Sequence, residues 1–169
     1  LDDVPEIGKS FAASRRSDLN KIEKQGSILR AVQAYLASIS YADEQLGRIL
    51  DVLELSEYNS NTVIIFWSDH GWHLGEKRHW HKSTLWEEST RIPLIIAVPQ
   101  LKPDVCDQPV SLLDLYPTLM ELCSIKGGHK FDGLSLMPQL SLPKTKRNPA
   151  VIEFRKGNAA VRSERWRYI

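Results

Sequence analysis

The chain has 169 residues, of which 42% are hydrophobic and 25% are charged, so it can bury one modest core. Its 22 Lys and Arg residues nearly balance 21 Asp and Glu residues, and the charge of +1 argues against nucleic acid or an acidic membrane as partner. No apolar run reaches the roughly 18 residues that would span a bilayer. The chain opens on Leu1 rather than Met, so we expect part of a longer protein.

The first quarter of the chain predicts helix. Residues 1–26 are polar and of mixed charge, which indicates a surface arm or a short helix with a solvated basic cluster, ended by Gly26. From Ser27 onward, apolar residues recur at spacings of three and four, which predicts an amphipathic helix of about seven turns that covers a sheet. Ser27 is the expected N-cap of this helix.

Two apolar runs predict strands of an α/β sheet. Residues 62–67 and 93–98 are rich in β-branched side chains, which is typical of buried strands. A long loop, residues 68–84, joins them, with a helical turn expected at 85–88. Because this loop is rich in Trp and His, we interpret it as packed and functional rather than disordered.

The second half of the chain predicts a helix, a linker and a small sheet. Pro117 suits the first turn of a helix over about 116–123, and the Gly- and Pro-rich residues 124–150 indicate a linker. Three short extended pieces follow, and the chain stops inside the last one, a second sign of a partial protein. They are residues 150–154, 159–162 and 166–169. We therefore predict a boundary near 149, with an α/β part at 1–149 and the start of a small sheet at 150–169.

Asp69 and His70 lie just beyond the run at 62–67, separated from it by Ser68, where ligands bind in open α/β sheets. Together they predict two ligands of a divalent cation: more carboxylates would favour Ca²⁺ or Mg²⁺, and more imidazoles Zn²⁺. Alternatively, Asp69 caps the following turn and His70 donates to a backbone carbonyl. Gly71 is expected to permit a sharp turn. Lys82, on the same loop, adds an ammonium that suits sulfate or phosphate.

Several other polar residues have simpler interpretations. His73, His79 and His81 stand among Trp, Lys and Arg on the loop, and we expect them at its rim. Asp114 is interpreted as a turn carboxylate. Glu121 is interpreted as part of a solvated helix face.

Several longer motifs stand in a fixed order along the chain. They are YLASISYADEQLGRIL at 35–50, SDHGWHLGE at 68–76, WHK at 80–82, LWEESTRIPL at 85–94, DLYPTL at 114–119, DGLSL at 132–136 and AVRSERWRYI at 160–169. The series resembles the second half of the catalytic domain of type I sulfatases, within the alkaline-phosphatase superfamily. It is most similar to the iduronate-2-sulfatase-like group.

The resemblance implies part of an alkaline-phosphatase-like mixed sheet with flanking helices. It also implies a parent protein that hydrolyses sulfate esters of a sulfated small molecule or glycan, in a secreted, periplasmic or lysosomal location. In such enzymes a formylglycine hydrate attacks the sulfur beside a Ca²⁺ ion. By position, Asp69 and His70 resemble metal ligands, and Lys82 resembles the lysine that contacts the sulfate. His70 alternatively contributes to catalysis from just outside the ligand set.

The nucleophile motif of these enzymes, Cys/Ser-x-Pro-x-Arg, is not in this sequence. Cys106 is followed by Asp-Gln-Pro and Cys123 by Ser-Ile-Lys, and neither has metal-finger or redox spacing. We expect them to be buried or incidental thiols, with a disulfide between them left open. We therefore expect the isolated chain to be inactive. The alternatives are a phosphatase, phosphonate hydrolase or phosphodiesterase of the same superfamily, or a non-catalytic fragment or binding module.

Overall fold

The structure is a computed structural model that describes residues 4–13, 16–127 and 130–169. The chain divides into two compact units, Leu1–Pro99 and Gln100–Ile169. Both helices and strands are present, in agreement with the predicted α/β class. The boundary predicted near residue 149 stays a prediction. No helix in the described ranges is long and apolar enough to cross a membrane.

Two helices precede Gly26, where a surface arm or one short helix is expected from the sequence. They are α1 (Glu6–Ala13) and α2 (Arg16–Lys24). The polar composition of α2 is misleading, because Leu19 is only 1% exposed and Glu23 accepts two hydrogen bonds from Arg78. Arg15 of the expected basic cluster lies outside the described residues. Gly26 follows α2 with a φ of 61°, a conformation that favours glycine.

The predicted amphipathic helix is α3, Ile28–Glu54. Ser27 stands at its N-cap position, as predicted, but its hydroxyl donates to the carbonyl of Gln25 at 3.1 Å and does not cap the helix. No described residue of α3 is buried, and Leu29 and Val52 are 85% and 71% exposed. The expected packing of this apolar stripe on a sheet is therefore not made within the described residues.

The first unit continues with four strands and one short helix. They are β1 (Ile64–Trp67), β2 (His73–Leu74), β3 (Trp80–His81), α4 (Glu87–Thr90) and β4 (Leu94–Ala97). The two predicted strands are β1 and β4, which pair antiparallel with Ile65 opposite Ile96. Their predicted burial is wrong in this chain, because Trp67 and Ile95 are 50% and 60% exposed. Among the described strands each pairs only with the other, so their apolar faces have few neighbours.

In the second unit, a 3₁₀ turn (Leu112–Asp114) runs into α5 (Leu115–Leu122), one residue earlier than predicted and with Pro117 in its first turn. The amide of Ser111 donates to Asp114 Oδ2 at 2.8 Å, and the Ser111 hydroxyl accepts from the amide of Leu113 at 3.3 Å. This reciprocal cap satisfies backbone donors that the start of a helix leaves without partners. Asp114 is therefore the turn carboxylate that the sequence predicts.

The stretch predicted as a linker contains a packed helix, α6 (Met137–Ser141). Leu136, just before it, is only 3% exposed, and its amide donates to the hydroxyl of Thr118 at 2.8 Å. Gln139 within it is 6% exposed. The prediction of a linker is wrong for this segment. Its many Gly and Pro residues are typical of a linker, but Leu136 between them is buried.

A buried ion pair in the second unit joins Asp114, just before α5, to Arg147, which follows α6. Arg147 Nη2 lies 3.1 Å from Asp114 Oδ2, and the two side chains are only 9% and 8% exposed. Arg147 also donates to the carbonyl of Ser135 and to Gln139 Oε1. These additional partners satisfy the guanidinium, which a buried charge requires.

The second unit ends in a three-stranded antiparallel sheet, as predicted. Its strands are β5 (Ala150–Glu153), β6 (Ala159–Arg162) and β7 (Arg167–Tyr168). The central strand is β6, in which Ala160 is 1% exposed. The three extended pieces of the sequence are therefore the three strands of one sheet.

Replacing Arg147 by Ala should destabilise the second unit, because Asp114 would keep a buried charge without its partner. The expected loss is about 3 kcal/mol in the free energy of unfolding. Urea denaturation measures it, with the exposed Lys146→Ala as the matched control, for which we expect a change below about 0.5 kcal/mol. Equal effects of the two substitutions would contradict the assigned role of Arg147.

Candidate active site

The end of β1 presents Asp69 and His70. The Ser68 hydroxyl donates to the carbonyl of His70 at 2.7 Å and closes the turn that follows the strand. The next amide, of Gly71, donates to the carbonyl of Ser89 at 2.8 Å. A Cβ atom on Gly71 would lie 2.1 Å from the carbonyl oxygen of residue 88, so glycine is needed for this close approach. Gly71 has no positive φ, so the close approach, and not a left-handed backbone, is what requires glycine at this position.

The backbone fixes which nitrogen of His70 carries the proton. Nδ1 lies 2.9 Å from the carbonyl oxygen of Gly71. Because a carbonyl only accepts, Nδ1 donates, and the Nε2 of the neutral ring keeps a lone pair. This contact is the one expected of a purely structural histidine. It is also the contact that orients the imidazole in metal-binding histidines.

Lys82 and Asp69 both approach the Nε2 atom of His70. The distance from Lys82 Nζ is 2.7 Å, and that from Asp69 Oδ2 is 3.5 Å. An ammonium can only donate, so Lys82 donates to the Nε2 lone pair. The side chain of Asp69 is 79% exposed and Lys82 is exposed, so the site is open to solvent. The structure thus brings together the three residues that the sequence singled out.

The donor atoms around His70 fit one part of a cation site. Asp69 offers a carboxylate oxygen and His70 an imidazole nitrogen, close enough for one ion to contact both. A Ca²⁺ ion takes about six to eight oxygen ligands, so these two donors do not complete its shell. Within residues 4–13, 16–127 and 130–169, no group of three or more His, Cys, Asp or Glu residues could hold a metal ion.

A short hairpin returns the chain from His70 to Lys82. Its strands β2 and β3 pair antiparallel with His73 opposite His81. The ring of Trp80, in β3, is only 6% exposed and anchors the hairpin in the unit. The loop is therefore packed, as its Trp-rich composition predicts.

His73 and His79 are fully buried, at 0% exposure, so their expected position at the rim is wrong. His73 Nδ1 lies 3.3 Å from the carbonyl oxygen of Glu76, and Nε2 lies 2.9 Å from the hydroxyl of Thr84. The two imidazole rings meet edge to face, with their centroids 4.8 Å apart. Polar rings are buried here because backbone and hydroxyl groups satisfy them, and no local sequence pattern signals such partners.

Trp72 adds an aromatic surface beside the candidate ligands. Its ring centroid lies 6.3 Å from that of His70 and 4.6 Å from that of His81. Tyr35 of α3 approaches the same indole at 6.0 Å. Sequence reasoning assigned Tyr35 no role, because a single aromatic residue beside an apolar stripe is most often a packing residue. The side chain of His81 is 35% exposed and lies 3.6 Å from Asp18 Oδ2, nearer the surface than the other two loop histidines.

The two cysteines do not supply a nucleophile motif. Both Cys106 and Cys123 are free and exposed, so of the two expectations they are incidental rather than buried thiols, and no disulfide joins them. They belong to the second unit, whereas Asp69, His70 and Lys82 belong to the first. The sequence contains no Cys/Ser-x-Pro-x-Arg at either position or elsewhere.

Solved structures share the fold of this chain. A protein described in complex with its substrate D-glucosamine-2-N,6-O-disulfate matches at a TM-score of 0.64 and 27% identity, over 77% of this chain and 29% of its own. A phosphonate monoester hydrolase from Silicibacter pomeroyi matches at a TM-score of 0.67 and 26% identity, over 74% of this chain and 29% of its own. The fold is therefore part of the predicted alkaline-phosphatase-like α/β fold.

Sequence comparison identifies the family. The sequence model of the sulfatase family matches residues 3–125. A sulfatase of Formosa agariphila is 37% identical over 100% of this chain and 34% of its own length. Human iduronate 2-sulfatase is 46% identical over 40% of this chain and 12% of its own. The chain belongs to the sulfatase family, as its motifs predict, and it spans about a third of the length of the curated relatives it matches.

Replacing His73 by Gln should weaken the dependence of stability on acid. Burial, and then the neighbouring His79, lower the pKa of His73 from its usual 6.5. As the pH falls through about 6.5, His73 therefore becomes protonated in the unfolded chain but stays neutral in the folded chain. Stability is complete above that pH and falls below it, by up to about 1.4 kcal/mol per pH unit, until folded His73 is protonated.

Urea denaturation at pH 7 and pH 5 measures this effect. The free energy of unfolding should fall more between these values in the wild type than in His73→Gln, because the amide does not titrate. Between pH 7 and pH 8 the two proteins should change alike, which serves as the internal control. Equal losses at pH 5 would show that His73 does not govern the acid sensitivity.

Proposed function

We propose that this chain supplies one part of the active site of a sulfuric ester hydrolase. In this proposal Asp69 and His70 are ligands of a divalent cation, Ca²⁺, and Lys82 contacts the sulfate group. The observation that carries it is the contact of Lys82 Nζ with His70 Nε2 at 2.7 Å, beside Asp69, in a chain of the sulfatase family. An ammonium and two cation ligands at one strand end are suited to a tetrahedral oxyanion.

Each residue has a defined task in this proposal. The Lys82 ammonium leaves Nε2 and donates to a sulfuryl oxygen, where it stabilises the charge that develops as the ester S–O bond breaks. His70, held through Nδ1 by the Gly71 carbonyl, keeps the Nε2 lone pair directed at the cation, and Asp69 adds a carboxylate oxygen. When bound, Ca²⁺ polarises the sulfuryl oxygens as a Lewis acid. By the family resemblance the nucleophile is a formylglycine hydrate, contributed by residues outside these 169.

We propose a sulfated small molecule or a sulfated glycan as the substrate. One related structure is described in complex with a glucosamine disulfate, and one relative is named iduronate 2-sulfatase. The exposed Asp69 and Lys82 leave room for a substrate larger than the sulfate group. The net charge of +1 offers no general attraction for nucleic acid.

A phosphonate or phosphate ester hydrolase is the second candidate. The likeness to a phosphonate monoester hydrolase, with a TM-score of 0.67, supports it. The chemistry is also compatible, because a cation and a lysine stabilise phosphoryl oxygens as they do sulfuryl oxygens. A non-catalytic fragment or binding module that keeps only the scaffold is the remaining alternative.

The protein that carries this chain together with a Cys/Ser-x-Pro-x-Arg motif should hydrolyse an aryl sulfate. EDTA should abolish turnover and Ca²⁺ should restore it, whereas the 169-residue chain alone should give none, because it contains no nucleophile motif. Release of the aryl alcohol measures the rate, with a phosphonate ester and a phosphodiester assayed in parallel.

The outcomes separate the candidates. Faster turnover of the phosphonate ester or the phosphodiester than of the sulfate ester would favour the second candidate. Metal-dependent turnover by the isolated chain would contradict the proposal that the nucleophile lies outside these 169 residues. Tight Ca²⁺ binding by the isolated chain, measured by calorimetry, would indicate a complete cation site in place of the partial one proposed, which should bind only weakly.

Lys82→Ala should lower kcat/KM for the sulfate ester by about 100-fold or more, because it removes a cation directed at the developing charge. The kcat/KM of Lys82→Arg should lie between those of the wild type and Lys82→Ala, because the planar guanidinium keeps the charge but changes the donor geometry. The exposed Lys102→Ala serves as the matched control and should stay within about twofold of the wild type. A Lys82→Ala variant as active as this control would remove Lys82 from the site.

A further inference from the structure

Lys82 lies in an unusual stretch of backbone. The residues on either side of it, His81 and Ser83, have φ values of 77° and 81°. Non-glycine residues rarely adopt this left-handed region, and they persist there only where surrounding contacts hold them. The side chain of Lys82 is exposed and is bound only at its far end, where Nζ contacts His70, so this contact does not fix the backbone angles of its neighbours. The main chain of Lys82 must therefore be held from inside the hairpin.

His79 makes the contact that holds it. Its Nε2 lies 2.9 Å from the carbonyl oxygen of Lys82, and its side chain is 0% exposed. Because a carbonyl only accepts, Nε2 carries a proton and donates. The ring of His73 packs edge to face against that of His79, with the centroids 4.8 Å apart, and so restricts its orientation.

We propose that His79 is a positioning residue for Lys82. Its buried Nε2–H donates to the Lys82 carbonyl, holds the left-handed turn, and thereby directs Lys82 Nζ toward His70 Nε2. The inference deepens the proposed function and rests on it, because the importance of Lys82 comes from its contact with the sulfate. His79 acts through Lys82, and its effect on the reaction is therefore conditional on the Lys82 ammonium.

Three substitutions separate this role from simple packing. His79→Gln carries an amide N–H at about the reach of Nε2 and keeps the donor. His79→Asn is shorter by one methylene group, stays polar, and cannot reach the Lys82 carbonyl. His79→Leu fills a similar volume without any donor. Urea denaturation of each variant reports its effect on folding separately from its effect on the reaction.

In the intact protein that carries this chain, His79→Leu and His79→Asn should lower kcat/KM for the sulfate ester by about tenfold or more, since small displacements of a positioned group have large effects on rate. His79→Gln should recover most of this loss. In a Lys82→Ala background, His79→Leu should change kcat/KM by less than about twofold, because there is no ammonium left to position. If His79→Leu does not fold, comparing His79→Asn with His79→Gln tests the same role, because only His79→Gln keeps a donor within reach of the Lys82 carbonyl.

A second measurement does not depend on turnover. Amide hydrogen exchange of the peptide that spans Lys82 and Ser83 should become about tenfold faster in His79→Leu or His79→Asn and stay near the wild-type rate in His79→Gln. If the wild type hydrolyses neither sulfate nor phosphonate esters, the proposed function fails while the exchange data still decide the role of His79.

Two results would overturn the positioning role. One is an equal loss of activity from His79→Leu with and without Lys82, which would make the effect independent of the ammonium. The other is unchanged hydrogen exchange at Lys82 and Ser83 in both His79→Leu and His79→Asn. Either result would leave His79 as a packing residue.

Discussion

The hydrogen bond between Lys82 Nζ and His70 Nε2, at 2.7 Å, is the interaction on which the candidate site depends. It requires two separate elements, one that orients the His70 ring and one that places the Lys82 ammonium. On one side, the Gly71 carbonyl fixes the His70 ring and leaves Nε2 as the acceptor. On the other side, the hairpin of β2 and β3 returns the chain so that an ammonium arrives at that nitrogen. In the proposed function, the end of the strand supplies the cation ligands and the hairpin supplies the anion contact, so neighbouring but distinct elements carry the two tasks.

Features with a strong local signal could be predicted from the sequence. The long helix α3 follows from its apolar spacing, the strands β5 to β7 from their short extended runs, and the position of Asp69 and His70 from the strand that precedes them. The burial of His73 and His79 could not be predicted, because it arises from strand pairing and from partners such as Thr84 that no periodicity reveals. Helix α6 was also missed, since five residues are too few to show a helical period.

The partly exposed strands and the small number of proposed cation ligands both belong to a chain that matches only part of its relatives. The chain spans about a third of the length of its curated relatives, and the fold of its solved neighbours extends well beyond the part it matches. Elements such as α3 and β1 accordingly carry the apolar patterns of buried structure while remaining exposed among the described residues. The apolar pattern of these elements therefore predicts burial that the described residues alone do not provide.

The pairing of β2 with β3 makes the number of residues in the hairpin as important as their identity. Side chains on a strand alternate between its two faces, so adding or losing one residue in the turn Glu76–Arg78 would reverse the face on which the residues of β3 lie. Such a change would turn the buried Trp80 outward and would disturb the edge-to-face contact between the rings of His73 and His79. The turn is therefore expected to tolerate changes of sequence far better than changes of length, so the number of residues in the turn constrains the candidate site.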